Sequence, residues 1–209
     1  MTDIIIDETQ GGFLIKKLKD IFKPLVISED IETDLVFDND LGQGKFKILK
    51  LDRDILSLYF TGVMHQELKF KFLNTKLPVL NLIYLNKGKL SIEFNEAVYK
   101  LKENETQQFI YNSDIKEYEI LTWPANTQIE FSFTKLFDFS YLNSKGLQER
   151  FKNSFENSKS LRITAPKNIS VKSDSKLIDS KMVGKPRMKD LECQVYSLLN
   201  IQLEEILRK

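Results

Sequence analysis

The spacing of apolar residues changes twice along the chain, and the changes divide it into three parts. In the first part, residues 1–40, "FLIKKLKDIF" puts Phe13, Leu14, Leu18, Ile21 and Phe22 on one face of a helix. Pro24 stops that helix, because the residue before a proline is barred from helical geometry. "LVI" and "DLVF" then read as short strands. In the second part, residues 41–142, the period falls to two. Leu68, Phe70 and Phe72 alternate with Glu67, Lys69 and Lys71, and Leu90, Ile92 and Phe94 repeat the pattern, as do Ile129, Phe131 and Phe133. Leu80, Leu82 and Tyr84 share one side of their segment, and Tyr118 and Ile120 one side of theirs. Short, closely spaced strands of this kind predict an antiparallel barrel or sandwich. Asn86-Lys87-Gly88 is the expected turn of one hairpin, with Gly88 supplying a positive φ, and Asn95-Glu96 that of a second.

The third part, residues 143–209, returns to a period of three to four. Leu147, Phe151 and Phe155 predict a short helix, "SLRITAPKNISVKSDS" a polar connector, and "SKLIDSKMVG" a helix closed by Gly184. Pro186 suits the first turn of a final helix, with Asp190 and Glu192 near its positive end. Leu191, Val195, Leu198, Leu199, Leu203 and Ile206 give that helix an apolar stripe, and Gln202 interrupts it. The stripe either packs back on the chain's own barrel or meets a second copy in a coiled-coil-like seam through Leu191, Val195, Leu198 and Ile206. Each buried leucine contributes about 1.5–3 kcal/mol, so the stripe is expected to be covered. The fold class read from the pattern is α+β, mainly β: a barrel followed by a helical segment.

Composition narrows the chemistry. Of 209 residues, 31 are Lys or Arg and 30 Asp or Glu, so no global field draws in nucleic acid or a membrane surface. One cysteine, Cys193, excludes an internal disulfide framework and fits a reducing compartment. "MTDIIIDETQ" has no basic leader, and no segment approaches the roughly 20 apolar residues of a membrane span. A cytoplasmic protein without a membrane partner is the expectation.

Histidine matters most. His65 is the only one, so a His-rich metal centre cannot be assembled, and no cofactor is expected. A Ser-His-Asp site needs the same residue, and no G-x-S-x-G surrounds any serine. His65 lies between two strands and reads as a turn or edge residue. Glu93 and Glu119 are expected on solvated strand positions. Gly42-Gln43-Gly44 lacks the Lys-Ser/Thr of a phosphate loop and reads as a turn. Cys193 has no basic neighbour and reads as a buried or interfacial packing residue. The chain is therefore not expected to be an enzyme. Trp123 either anchors the barrel rim or stands at the mouth of a ligand cavity. With it, Phe70, Phe72, Tyr84 and Phe131 are the candidate ligand-lining residues, and inward Phe94 and Phe133 are expected core. From Lys159 to Lys189 basic residues predominate. A solvated linker explains them, and nearness to DNA phosphates held by an attached domain is the other reading.

The order of these parts resembles the N-terminal half of AraC-type transcription factors. "LIYLNKGKLSIEFNEAVYKLKENE" is similar to the strand-Gly-strand segment of that family's sensor barrel, and "KMVGKPRMKDLECQVYSLLNIQLEEI" to its linker and dimerisation helix. The resemblance implies a cupin-like jelly-roll barrel that senses a small molecule or a partner, a homodimer, and two helix-turn-helix motifs that bind DNA. Those motifs do not occur here. The chain is therefore expected to be the regulatory portion of a longer DNA-binding protein, and no DNA-reading residue can be assigned. The competing expectations are a metal-free cupin enzyme, marked by polar inward residues, and a stand-alone binding protein.

Overall fold

The computed structural model describes residues 2–7, 13–28, 32–52, 55–73, 79–94, 97–103, 105–111, 118–136 and 160–165, with single helical positions at Glu149, Lys189, Asp190 and Cys193. The dimerisation stripe of Leu191, Val195, Leu198 and Ile206 lies outside the described residues. So do most of the helices expected in the third part.

Thirteen strands and one helix are described. In chain order they are β1 (Thr2–Asp7), α1 (Phe13–Phe22), β2 (Leu25–Ser28), β3 (Glu32–Asn39), β4 (Gly42–Asp52), β5 (Ile55–Met64) and β6 (Leu68–Leu73). There follow β7 (Val79–Lys87), β8 (Leu90–Phe94), β9 (Ala97–Leu101), β10 (Glu105–Tyr111), β11 (Tyr118–Trp123), β12 (Gln128–Leu136) and β13 (Ser160–Ala165). They form two sheets. The smaller runs β1-β6-β11-β8-β9, and the larger runs β13-β10-β7-β12-β5-β4-β3-β2. The described chain is thus mainly β, as its period-two pattern predicts.

Alternation decides which side chains meet between the sheets. In β3, Thr33, Leu35 and Phe37 point inward, and Glu32 and Asp34 point outward. In β6, Leu68, Phe70 and Phe72 are buried, with Lys69 and Lys71 between them. Across the outer face of the larger sheet, Lys45 pairs with Asp34 at 2.7 Å, and Lys47 approaches Glu32 and Asp34 at 3.9 and 3.8 Å. These partly exposed pairs contribute little, about 0–1 kcal/mol each. Most of the stability therefore comes from the apolar interior.

Helix α1 buries Leu14, Leu18 and Phe22, spaced four apart, against that interior. It ends where Pro24 requires. Lys23 takes a left-handed conformation (φ 43°), and its N–H donates to the Lys19 carbonyl at 2.9 Å. Asn39 ties this end to β3. Its side-chain amide donates to the Phe22 carbonyl at 2.6 Å, and its Oδ1 accepts the Leu41 N–H at 2.9 Å.

Four features differ from the sequence reading. First, the strands before residue 41 belong to the same sheets as those after it: β3 pairs with β4 along its whole length, and β1 lies parallel to β6. Second, Ser160–Ala165, read as connector, is strand β13, paired antiparallel with β10. Its Leu and Ile alternate, a signal masked by the surrounding Lys and Ser. Third, Asn86-Lys87-Gly88 does not close a hairpin. It carries the chain from β7 in the larger sheet to β8 in the smaller one. Gly88 does take a positive φ of 97°, and its N–H donates to Glu103 Oε1 at 2.9 Å. The second hairpin is present in its strands: β8 and β9 pair antiparallel, with Phe94 opposite Ala97. Fourth, Gly42-Gln43-Gly44 opens β4, and the turn is Asp40-Leu41. Gly44 faces Gly62 of β5, where an added Cβ at Gly62 would meet the Gln43 carbonyl oxygen at 2.4 Å. The glycines serve close strand approach.

Candidate functional site

Aromatic side chains from both sheets converge between them. β11 brings Trp123, and β6 brings Phe70, with ring centroids 4.4 Å apart. From the larger sheet, β5 brings Phe60 to 4.6 Å from Trp123, stacked, and β12 brings Phe131 to 5.1 Å, edge-on. Phe46 of β4 stands 6.0 Å from the indole. Beyond Phe46, Phe37 and Phe22 continue the ring cluster to helix α1, at 5.4 and 5.0 Å from Phe46. Offset and edge-on rings at such spacing add about 0.5–1.5 kcal/mol per pair beyond their buried area.

Trp123 is 1% exposed. It lies at the centre of the cluster rather than on an exposed rim. Its Nε1–H is buried and has no hydrogen-bond partner. A lone buried donor costs about 1–3 kcal/mol, so ring packing must outweigh that penalty.

Of the candidate lining residues, Phe70, Phe72, Trp123 and Phe131 are gathered in the interior. Tyr84 is not among them. Ile83 and Leu85, its neighbours in β7, join the core and pair with Phe133 and Phe131, whereas Tyr84 pairs with Ser132 on the opposite face. It is buried there all the same, as is Tyr59, another Ser132 neighbour. A strand apolar on both faces gives alternation nothing to choose by. The same ambiguity governs β11. Leu121 and Trp123 are the buried set, and Ile120 is only half-buried, so the expected inward parity of Ile120 is reversed. Glu119 occupies the register position opposite Phe72. Glu93 keeps its outward parity beside buried Ile92 and is half-buried.

The sequence reading missed Lys135. It continues the inward run Phe131, Phe133, Lys135 on β12 and is 1% exposed. Its Nζ lies 4.4 Å from the centroid of the Phe72 ring and 4.9 Å from that of Phe133. Ring faces attract an ammonium by up to about 2 kcal/mol. Withdrawal from water costs a charge more, and that desolvation holds the Lys135 pKa well below the usual lysine value. Strict period-two counting through "FSFTK" was the available signal.

His65 sits exposed in the bend after β5, where its backbone N–H donates to the Leu41 carbonyl at 2.8 Å. Cys193 is exposed, which removes a buried role within this chain. Among the described residues, no three His, Cys, Asp or Glu side chains group as metal ligands. No helix of the described residues is long and apolar enough to cross a membrane.

Comparison with solved structures finds similarity at low identity. The cupin domain of Cnp3 from Schizosaccharomyces pombe is 13% identical, with a TM-score of 0.36 over 53% of this chain and 71% of that one. The AraC-like transcriptional activator CuxR is 9% identical, with a TM-score of 0.42 over 83% of this chain and 62% of that one. Apo ToxT from Vibrio cholerae is 9% identical, with a TM-score of 0.45 over 74% and 59%. The chain thus spans about three fifths of the length of both regulator structures. No protein-family model and no curated protein matches the sequence.

Proposed function

We propose that this chain is the cupin-like sensory domain of a bacterial transcriptional regulator of the AraC type. It binds a small effector rather than catalysing a reaction. It pairs two copies through the stripe of Leu191, Val195, Leu198 and Ile206, and it acts on transcription through an attached DNA-reading domain. The observation that supports this reading best is the enclosed interior. Rings from both sheets surround an indole N–H without an acceptor, and farther along the same strands they surround a buried ammonium. An apolar enclosure with few polar groups is the usual form of a small-molecule site.

The rings are packed against one another, so an effector must compete with that packing. A molecule that holds the sheets in a slightly wider state binds that state better and shifts the population toward it. Helix α1 rests on the same cluster through Phe22, so displaced rings would move it. A signal then reaches the surface without any contact between effector and DNA.

Two measurements test the proposal. Trp123 is the only tryptophan, so its emission reports on the interior alone. Titration with small metabolites is expected to shift that emission saturably for one chemical class, and a flat response across all classes counts against sensing. Light scattering on the wild type and on Leu198→Glu tests the pairing: the wild type is expected as a dimer and the variant as a monomer. For the output, the reading frame after the Lys209 codon is expected to continue into two helix-turn-helix motifs. An immediate stop codon would replace the regulator with a stand-alone binding protein.

A further inference from the structure

The inner face of the larger sheet meets the smaller sheet, yet its outer face is buried too, at one end. Leu49 of β4 and Ser57 of β5 are 0% exposed, and Tyr59 and Tyr84 are buried, although all four point away from the interior. Register sets them in two adjacent rows: Leu49, Ser57 and Thr134, then Lys47, Tyr59, Ser132 and Tyr84. Burial fades along the strands. On β5 it passes from Ser57 through Tyr59 at 8% to exposed Thr61, and on β4 from Leu49 through the Lys47 side chain at 11% to that of Lys45 at 39%. The cover therefore lies over the end of the face where β12 stops at Leu136 and β5 starts at Ile55.

Strand neighbours shield only the flanks of a side chain, so a fully buried leucine needs atoms above it as well. Among the described residues, helix α1 and the smaller sheet both pack on the inner side. The burial arises within one chain, so the cover belongs to that chain. Topology selects the segment. Leu136 pairs with Leu80, Leu80 with Ile110, and Ile110 with Leu161, so β12 leaves the sheet at the end where β13 enters it. Only β7 and β10 stand between them, a gap of about 14 Å at one strand spacing each. Residues 137–159 are far more chain than that gap needs. The inner side is filled, which leaves the outer face for the surplus. Beyond Ala165 the chain departs from β13 toward the exposed end instead.

We propose that residues 137–159 dock on this end of the outer face through the apolar positions Leu147, Phe151 and Phe155, against Leu49, Tyr59 and Tyr84, and make it a closed third layer rather than a surface open to partners. This contact does not rest on the regulator reading and is separate from the helix seam. Strand β12 then serves two layers, with Phe131, Phe133 and Lys135 toward the interior and Ser132 and Thr134 toward the docked segment.

Maleimide labelling of the full chain tests it, in a Cys193→Ser background that leaves one engineered thiol. Ser57→Cys is expected to react at least about tenfold more slowly than Thr61→Cys, because its thiol is reached only when the cover opens. Phe151→Glu with Phe155→Glu is expected to bring the two rates within about threefold, with Trp123 emission and far-UV circular dichroism unchanged. Leu147→Ala, a milder change, is expected to speed Ser57→Cys at least about twofold and keeps the test decisive if the double variant does not fold. A Ser57→Cys protein that reacts as fast as Thr61→Cys overturns the proposal, and so does protection that survives these substitutions in a folded chain. Protection released by Leu198→Glu instead assigns the cover to the final helix, and protection lost on dilution assigns it to a second copy. Either result also overturns it.

Discussion

Around Trp123 the space between the sheets holds rings and little else, whereas around Lys135 the same kind of ring encloses a cation. Both side chains are 1% exposed, and both arrive by the same device, an inward position on a strand. They differ in what burial costs. The indole gives up one hydrogen bond and gains contact with four phenylalanines. The ammonium gives up hydration worth several kcal/mol and gains two ring faces. One end of the interior is therefore built for cohesion. The other holds a lysine whose withdrawal from water is costly.

Breaking the cohesive end should have the largest effect. Trp123→Ala is expected to lower stability by about 3–5 kcal/mol, measured by urea unfolding. A loss below about 1 kcal/mol would mean that the cluster is loose and that the contrast between the ends is not one of packing. At the other end the sign should reverse. Lys135→Met keeps the volume and removes the charge, and is expected to raise stability by about 1–4 kcal/mol at neutral pH. If it destabilises instead, Lys135 is a structural partner rather than a burden.

A pH series sharpens the same point. Burial lowers the Lys135 pKa in the folded protein, so between the folded value and the ordinary lysine value the unfolded chain binds more protons. Stability contributed at this site therefore rises with pH through that window and is lost as pH falls below it. The difference between wild type and Lys135→Met should accordingly shrink toward pH 10, and a difference constant with pH would contradict the assignment. The smallest effect is a control on the outer face. There Ser57 and Thr134 hydroxyls hydrogen-bond at 2.9 Å, and Ser57→Ala is expected to cost about 1 kcal/mol while leaving Trp123 emission unchanged.

The strands were legible because one face is apolar and the other charged. β3, β6 and β12 announce their inward residues by alternation alone, and Phe70, Phe72 and Phe131 followed from it. Where both faces are buried, the pattern loses its phase, and Tyr84 and Ile120 were assigned to the wrong side for that reason. Which strands lie in which sheet is a long-range property. Gly88 was correctly read as a positive-φ turn, yet nothing local says that the chain changes sheets there. Lys135 was overlooked because a lysine reads as solvent-facing by type even when its position says otherwise. Strand β13 was overlooked because six alternating residues are diluted by a polar neighbourhood.

The parallel pairing of β1 with β6 has a consequence for synthesis. Ile4 and Ile6 of β1 are buried only once Leu68 to Leu73 have been made. At about 5–20 residues per second, the first strand leaves the ribosome and then waits about 3–13 s for its neighbour. During that interval Ile4 and Ile6 stand open on the nascent chain. The yield of folded protein should therefore depend on what shelters those two residues during translation, a demand that the finished structure no longer displays.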